Sequence, residues 1–487
     1  MRPSVGIQVE HEDFGFGTVQ QVVGDIAVVR FYGEDFEVAV DELKYKEGYQ
    51  GRAAVNRHMQ DQRKIAFRRA FEAINMGIVP PEPVELIELT MGGDQYSEKI
   101  NLWLAESERK GLCKVIFGNY GTGKSHFLHL ARAIALEAGW VVSYLEFDPK
   151  AADPAKPHLV YRSLMSNLHF PEREDGSRID GYMGFVREIR NKWLTIRNLD
   201  HFKASPWFKY GFEALITEPH SEEQEYLDAC GWLFGQNNAL QTIRRIARYA
   251  RLAPNSIPNM PKIKETAEIY VHHLVVIHEI CKALNFKGLL IILDEAEHVR
   301  GYNVRRRERA NNFFDILART AHKPVIDDDL PILNDHYSGL PKYWENGPFF
   351  GLLVGLTEGD IFADPEMSIR ESCAFLHGEE DRIYLHRPTS DDYEELCIKL
   401  FKLFNHHYPE STELISTDEM RGQITAILKS QFKQFNQDEN PIRIWVKLAS
   451  LVPSILLAEK AGNIDELTNQ VQKTAKKATN YVLPWEL

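Results

Sequence analysis

Residues 118–125 read Gly-Asn-Tyr-Gly-Thr-Gly-Lys-Ser, a complete G-x-x-x-x-G-K-[ST] loop, and nothing else in the 487 residues constrains the fold as tightly. Glycines at these positions let successive backbone N–H groups turn inward on phosphate oxygens with no Cβ in the way. Lys124 supplies a point charge for the β- and γ-phosphates. Ser125 offers a hydroxyl to Mg²⁺, and a helix starting there aims its positive end at the anion. Such a loop needs a strand before it and a helix after it. The apolar run Cys113 to Phe117 precedes it, and Phe127, Leu130, Ala131, Ile134, Ala135 and Ala138 follow at helical spacing, with Gly139 to close. The expected nucleotide-binding set is Gly118, Asn119, Tyr120, Gly121, Thr122, Gly123, Lys124, Ser125 and His126, with ATP and Mg²⁺ as the ligands.

A phosphate loop needs an acidic partner for the metal. Leu289 to Leu293 form an apolar run that ends in Asp294-Glu295. Asp294 is expected to join Ser125 in the Mg²⁺ shell, and Glu295 to polarise the attacking water. The plain alternative is a buried strand followed by a solvated turn. An acid pair, rather than a lone aspartate, favours hydrolysis over simple binding. Glu297 and His298 follow, with a solvated loop or a place near the γ-phosphate both open. The strand-like run 349–356 ends at Thr357, either a γ-phosphate sensor with a catalytic part or an ordinary strand-end residue. Arg443, opening a helix after Asn440-Pro441, either reaches the phosphates as a nucleotide-binding residue or lies on the surface.

Two arginine groups carry several readings. Arg305, Arg306, Arg307 and Arg309 form a solvated helix face, a subunit-interface arginine finger or a phosphate-backbone contact. Arg244, Arg245, Arg248 and Arg251 form a solvated face or a DNA contact. His126 and His129, three apart, lack the spacing and further ligands of a zinc site. No G-x-S-x-G elbow and no cysteine-nucleophile context is present.

Length predicts two to four domains. Residues 1–47 hold β-branched and aromatic runs at 19–23, 26–31 and 36–40, split by Gly24-Asp25 and Gly33-Glu34-Asp35, and read as a small all-β barrel. Residues 48–94 read as a helical connector, 95–387 as an α/β P-loop core with a mostly helical insertion at about 150–286, and 388–487 as a C-terminal helical domain. A net charge of −13 excludes a chain that coats nucleic acid by bulk attraction, while leaving room for local basic patches. Five scattered cysteines without a C-x-x-C pair predict reduced thiols. No apolar run of about 18 residues predicts a membrane span. With no visible signal peptide, the expectation is a cytoplasmic protein.

Phe71-Glu72-Ala73-Ile74-Asn75-Met76-Gly77-Ile78-Val79-Pro80, Glu88-Leu89-Thr90-Met91-Gly92, the phosphate loop and Asp294-Glu295-Ala296-Glu297 together resemble the ATP-binding proteins of BREX-type phage-defence systems, BrxC/BrxD-like. These are AAA+/STAND-like P-loop ATPases, so the resemblance implies an AAA+-like core with a helical lid. It implies Thr357 as first sensor and Arg443 as second, although Ile442 intervenes between Pro441 and Arg443. It also implies a homo- or hetero-oligomer working with a helicase, methyltransferase or nuclease. The stretch Gly6 to Val19, with Val28 to Phe31, is similar to Tudor-like barrels that dock protein partners or nucleic acid.

The expectation is thus a Mg²⁺-dependent ATPase of a defence or DNA-transaction complex. The rival is a nucleotide-gated scaffold whose hydrolysis is slow or incidental.

Overall fold

The computed structural model describes residues 8–11, 14–23, 26–31, 34–40, 43–44, 69, 89–119, 349–357 and 381–386, and most of 121–322 and 388–479. Tyr120, the expected helical connector 48–94 apart from positions 69 and 89–94, and the side chain of Arg443 lie outside the described residues. The chain divides into two compact units, Met1–Ala73 and Ile74–Leu487.

The first unit is an antiparallel sheet of β1 (Gln8–His11), β2 (Gly15–Val23), β3 (Ile26–Phe31), β4 (Glu34–Ala39) and β5 (Leu43–Lys44). Its order is β4-β3-β2-β1-β5. Short β-branched runs alternate their side chains across the sheet, which puts Val9, Val19, Ala27, Val29, Val38 and Leu43 into one small core. The register slips between Val19 and Gln21, leaving Gln20 as the bulge residue in β2.

The second unit opens with α1 (Gly93–Lys110), β6 (Cys113–Gly118), α2 (Lys124–Glu137) and β7 (Val141–Glu146). Among the described residues eight helices follow: α3 (Pro157–Ser166), α4 (Gly181–Asn191), α5 (Trp193–Ile196), α6 (Asp200–Ala204), α7 (Pro206–Thr217), α8 (Glu223–Leu233), α9 (Leu240–Tyr249) and α10 (Thr266–Ala283). A two-residue strand, β8 (Leu168–His169), interrupts them. The helical reading of this stretch missed it, because two residues carry no readable period. Then come β9 (Leu289–Asp294), a 3₁₀ turn (Ala296–Gly301), α11 (Val304–Ala321), β10 (Gly351–Leu356) and β11 (Arg382–Leu385). Among the described residues four helices close the unit: α12 (Ser390–His407), α13 (Asp418–Phe432), α14 (Pro441–Glu459) and α15 (Ile464–Thr479).

The central sheet has the order β11-β6-β10-β9-β7-β8, parallel except for β8 on the edge. A parallel sheet needs both faces covered, and alternation along the strands divides the apolar residues accordingly. Ile116, Val142, Leu290, Ile292 and Leu353 pack under α1 and α2. Val115, Phe117, Val141, Leu289, Ile291, Leu293 and Val354 belong to the larger core built with α3 to α11. Every residue of β9 is buried. Each fully buried Leu or Ile side chain there contributes about 1.5–3 kcal/mol, which is why the run has no polar position before its last residue.

The chain leaves β6 toward β7 on one side, and returns from β10 past β6 to β11 on the other. The crevice at the carboxyl ends of β6 and β10 is therefore the topological switch point, where open parallel sheets bind ligands. The phosphate loop and Thr357 both lie there. The four closing helices share their own aromatic contacts, with Tyr393, Phe432 and Trp445 at ring separations of 5.3–5.7 Å.

Candidate functional site

Helix α2 begins at Lys124 because Gly123, at φ 89°, takes a left-handed conformation that a side chain would strain. No side chain caps this start and its first turn holds no acid, so the helix end offers bare N–H groups. Gly118 is needed for a different reason. A Cβ there would strike the Thr122 side chain, whose hydroxyl donates to Asn119 O at 2.9 Å and pins the loop. The far end of α2 closes as a Schellman motif, with Gly139 at φ 87°, its N–H on Leu136 O and that of Trp140 on Ala135 O.

Four segments distant in sequence meet at the loop. From α2, Ser125 Oγ donates to Asp294 Oδ2 at 2.6 Å. Asp294 ends β9, is 1% exposed, and also accepts from Tyr144 OH on β7 at 3.0 Å and from the Glu295 N–H at 2.9 Å. Lys124 Nζ donates to Thr357 Oγ1 at 2.9 Å and to Glu297 Oε1 at 3.0 Å, with Asp294 Oδ1 at 3.9 Å. Thr357 in turn donates to Glu297 Oε1. The lysine is thus enclosed by a hydroxyl and two carboxylates.

Glu295 follows the strand at φ 57°, a left-handed backbone that costs a residue with a Cβ of order 1 kcal/mol or more. That turn points its carboxylate outward, where Oε2 meets His298 Nε2 at 2.8 Å. Glu297, not Glu295, therefore faces Lys124.

The electrostatics follow from this crowding. Burial, then the Glu295 and Asp294 carboxylates, hold the Glu146 carboxyl above its usual range, with His298 opposing. Burial and the adjacent Asp294 likewise raise the Tyr144 phenol, so it stays a donor. His129 stacks on Tyr144 at 4.5 Å and is lowered to about 4 by burial and then by Arg132, with Asp294 opposing. His126 is lowered to about 4 by burial and then by His129. It is hydrogen-bonded as a neutral ring to Thr90 Oγ1 at 2.7 Å.

The donor set can be tested against the expected ligands. Among the described residues no group of three or more His, Cys, Asp or Glu side chains could hold a metal ion unaided. Ser125 and Asp294 nonetheless present one hydroxyl and one carboxylate side by side, the oxygen pair that suits Mg²⁺ when phosphate and water complete its shell. The glycine cradle, the uncapped helix start and Lys124 suit a polyphosphate. The residues fit both groups.

Of the expected site residues, Gly118, Asn119, Gly121, Thr122, Gly123, Lys124, Ser125 and His126 lie at the loop. Asp294, Glu295 and Thr357 lie at the ends of the neighbouring strands β9 and β10. Arg443 lies in the first turn of α14, which packs on α12, α13 and α15. Within the arginine cluster, Arg306 pairs with buried Asp153 at 3.0 Å and stacks on Tyr302 at 3.6 Å, and Arg307 donates to Tyr302 O. Arg305 and Arg309 are exposed.

Two residues at the site escaped the sequence reading. Tyr144 sits in an apolar strand with nothing to mark it. Gly355 on β10 does carry a signal, since a glycine inside an apolar strand often marks a close approach. A Cβ there would lie 2.7 Å from Asp294 Oδ1 and 2.9 Å from Leu128 Cδ1.

Among the described residues, no helix is long and apolar enough to cross a membrane. No curated protein matches the chain. Residues 63–200, which include the phosphate loop, α2 and β7, match the model of a family described as BREX system ATP-binding protein BrxC/D, and over that stretch the chain is similar to it.

Proposed function

We propose that this chain is a Mg²⁺-dependent ATPase of a bacterial anti-phage defence or DNA-transaction complex, using ATP binding and hydrolysis to remodel partners or DNA. The observation that carries the reading is the convergence of Lys124, Ser125, Asp294, Glu297 and Thr357 at the mouth of one parallel sheet. The family similarity over residues 63–200 supports the defence setting. In this reading the loop N–H groups and Lys124 bind the phosphates, while Ser125 and Asp294 hold the metal. Mg²⁺ held by Ser125 and Asp294 would supply electrostatic neutralisation of the phosphate charge. Glu295 orients and deprotonates water after leaving His298, and Thr357 donates to the γ-phosphate.

The strand order supports an AAA+-like core, because β10 lies between the loop strand and the acidic strand and delivers Thr357 between them. Helices α12 to α15 are read as the lid, with Arg443 as its nucleotide sensor. The first unit is read as a Tudor-like docking barrel, supported by β1 pairing with both β2 and β5. A protein partner such as a helicase, methyltransferase or nuclease, and assembly into an oligomer, belong to the same reading.

The rival nucleotide-gated scaffold is favoured by one observation: Glu295 is bonded to His298 and turned from Lys124. Steady-state ATP hydrolysis with and without duplex DNA separates the two, comparing wild type with Glu295→Gln. The ATPase reading expects a fall of roughly 100-fold or more in the variant. Equal rates under every condition leave the scaffold. Retained nucleotide binding in Lys124→Ala would sink both.

A further inference from the structure

We propose that Glu297 is a resident anion occupying the place of the γ-phosphate, so that a nucleoside triphosphate must evict it and a diphosphate need not. The inference rests on the reading of Lys124 as the phosphate-binding lysine, and makes Glu297 the residue through which the pocket distinguishes the two nucleotides.

Glu297 Oε1 takes hydrogen bonds from both Lys124 Nζ and Thr357 Oγ1, the two groups assigned above to the terminal phosphate. A carboxylate oxygen and a phosphate oxygen make the same demand on those donors, and both cannot be met at once. The other oxygen, Oε2, is buried and has no hydrogen-bond partner among the described residues, so within them the carboxylate is only half satisfied where it sits. Glu295 cannot play this part, since its own carboxylate lies with His298.

The turn that carries Glu297 is anchored. Ala296 is 0% and Val299 3% exposed, so rotation of the Glu297 side chain can vacate the site while the backbone stays. Beyond the turn, Asn303 caps α11, and Arg306 on that helix is tied to Asp153. Eviction of the carboxylate therefore occurs on a segment joined to the loop after β7, and gives the terminal phosphate a physical consequence that a diphosphate lacks.

The test is calorimetric binding of ADP and of a non-hydrolysable triphosphate, AMP-PNP, with Mg²⁺ and again with EDTA. It uses the full chain as wild type, Glu297→Gln and Glu297→Asp. Removing the competing charge, or shortening its reach by one methylene, should raise AMP-PNP affinity roughly tenfold or more and leave ADP within about twofold. Equal changes for both nucleotides, or no change for either, overturn the proposal. So does a loss of AMP-PNP affinity confined to Mg²⁺, which would make Glu297 a metal-side ligand. If neither wild type nor variants bind either nucleotide, the functional reading itself has failed. Glu297→Asp keeps the test open should Glu297→Gln fold poorly.

Discussion

Replacing Gly355 by alanine adds one methyl group at the most crowded point beneath the candidate site. The new Cβ would lie 2.7 Å from Asp294 Oδ1, 2.9 Å from Leu128 Cδ1 and 3.4 Å from Lys124 Cδ. Ordinary contact begins near 3.4 Å, so Asp294 must retreat by roughly 0.7 Å in an interior that packs too densely to absorb it freely. Its Oδ1 accepts the Glu295 N–H at 2.9 Å, and a retreat of that size stretches the bond out of range. Overpacking of this kind costs about 1–3 kcal/mol. At ~2–4 °C per kcal/mol for a domain of 150–250 residues, the thermal midpoint should fall by about 2–12 °C. Binding of Mg²⁺-AMP-PNP should weaken with it, because Asp294 is displaced while Lys124 is left at bare contact distance. The matched control is Gly422→Ala in α13, where an added Cβ meets nothing within 4 Å and should be neutral or stabilising by up to about 1 kcal/mol. Differential scanning fluorimetry and calorimetry read both variants. A Gly355→Ala protein with wild-type midpoint and wild-type affinity would refute the packing argument.

Two further tests probe the same unit. Tyr144→Phe removes one of three donors from the buried Asp294 carboxylate and should cost about 1.5–3 kcal/mol in a urea titration; an unchanged midpoint would mean the phenol does not support that aspartate. Burial, assisted by His201 at His272 and by Lys282 at His278, lowers both imidazoles to about 3, against an ordinary value near 6.5. The unfolded chain therefore takes up protons that the folded one refuses, so stability holds above about pH 6.5 and drains away as pH falls toward 3. A thermal midpoint that stays flat between pH 7 and pH 5 would contradict this.

The contiguous parts of the site are legible without coordinates. A glycine-rich turn feeding a helix is a local structure, and Gly118 to Ser125 encode it in eight adjacent residues. The buried strand ending in Asp294 is legible for the same reason, since a strand covered on both faces must be apolar until it reaches the sheet edge. Gly139 as a helix stop is equally local, because only a residue free of Cβ strain takes that φ cheaply.

The partners of those residues are a different matter. Lys124 meets Glu297 and Thr357 across 173 and 233 positions of sequence, and no local pattern specifies which carboxylate reaches it. The answer depends on β10 lying between β6 and β9, and on the left-handed turn at Glu295 that sends one acid outward and brings the next one in. Tyr144 reaches Asp294 only because β7 pairs with β9 in a register that sets Glu146 beside it. Chain chemistry thus dictates the phosphate loop and the acidic strand, whose forces act between neighbours. Which acid faces the lysine follows from strand order and packing, forces that act between residues the chain holds far apart.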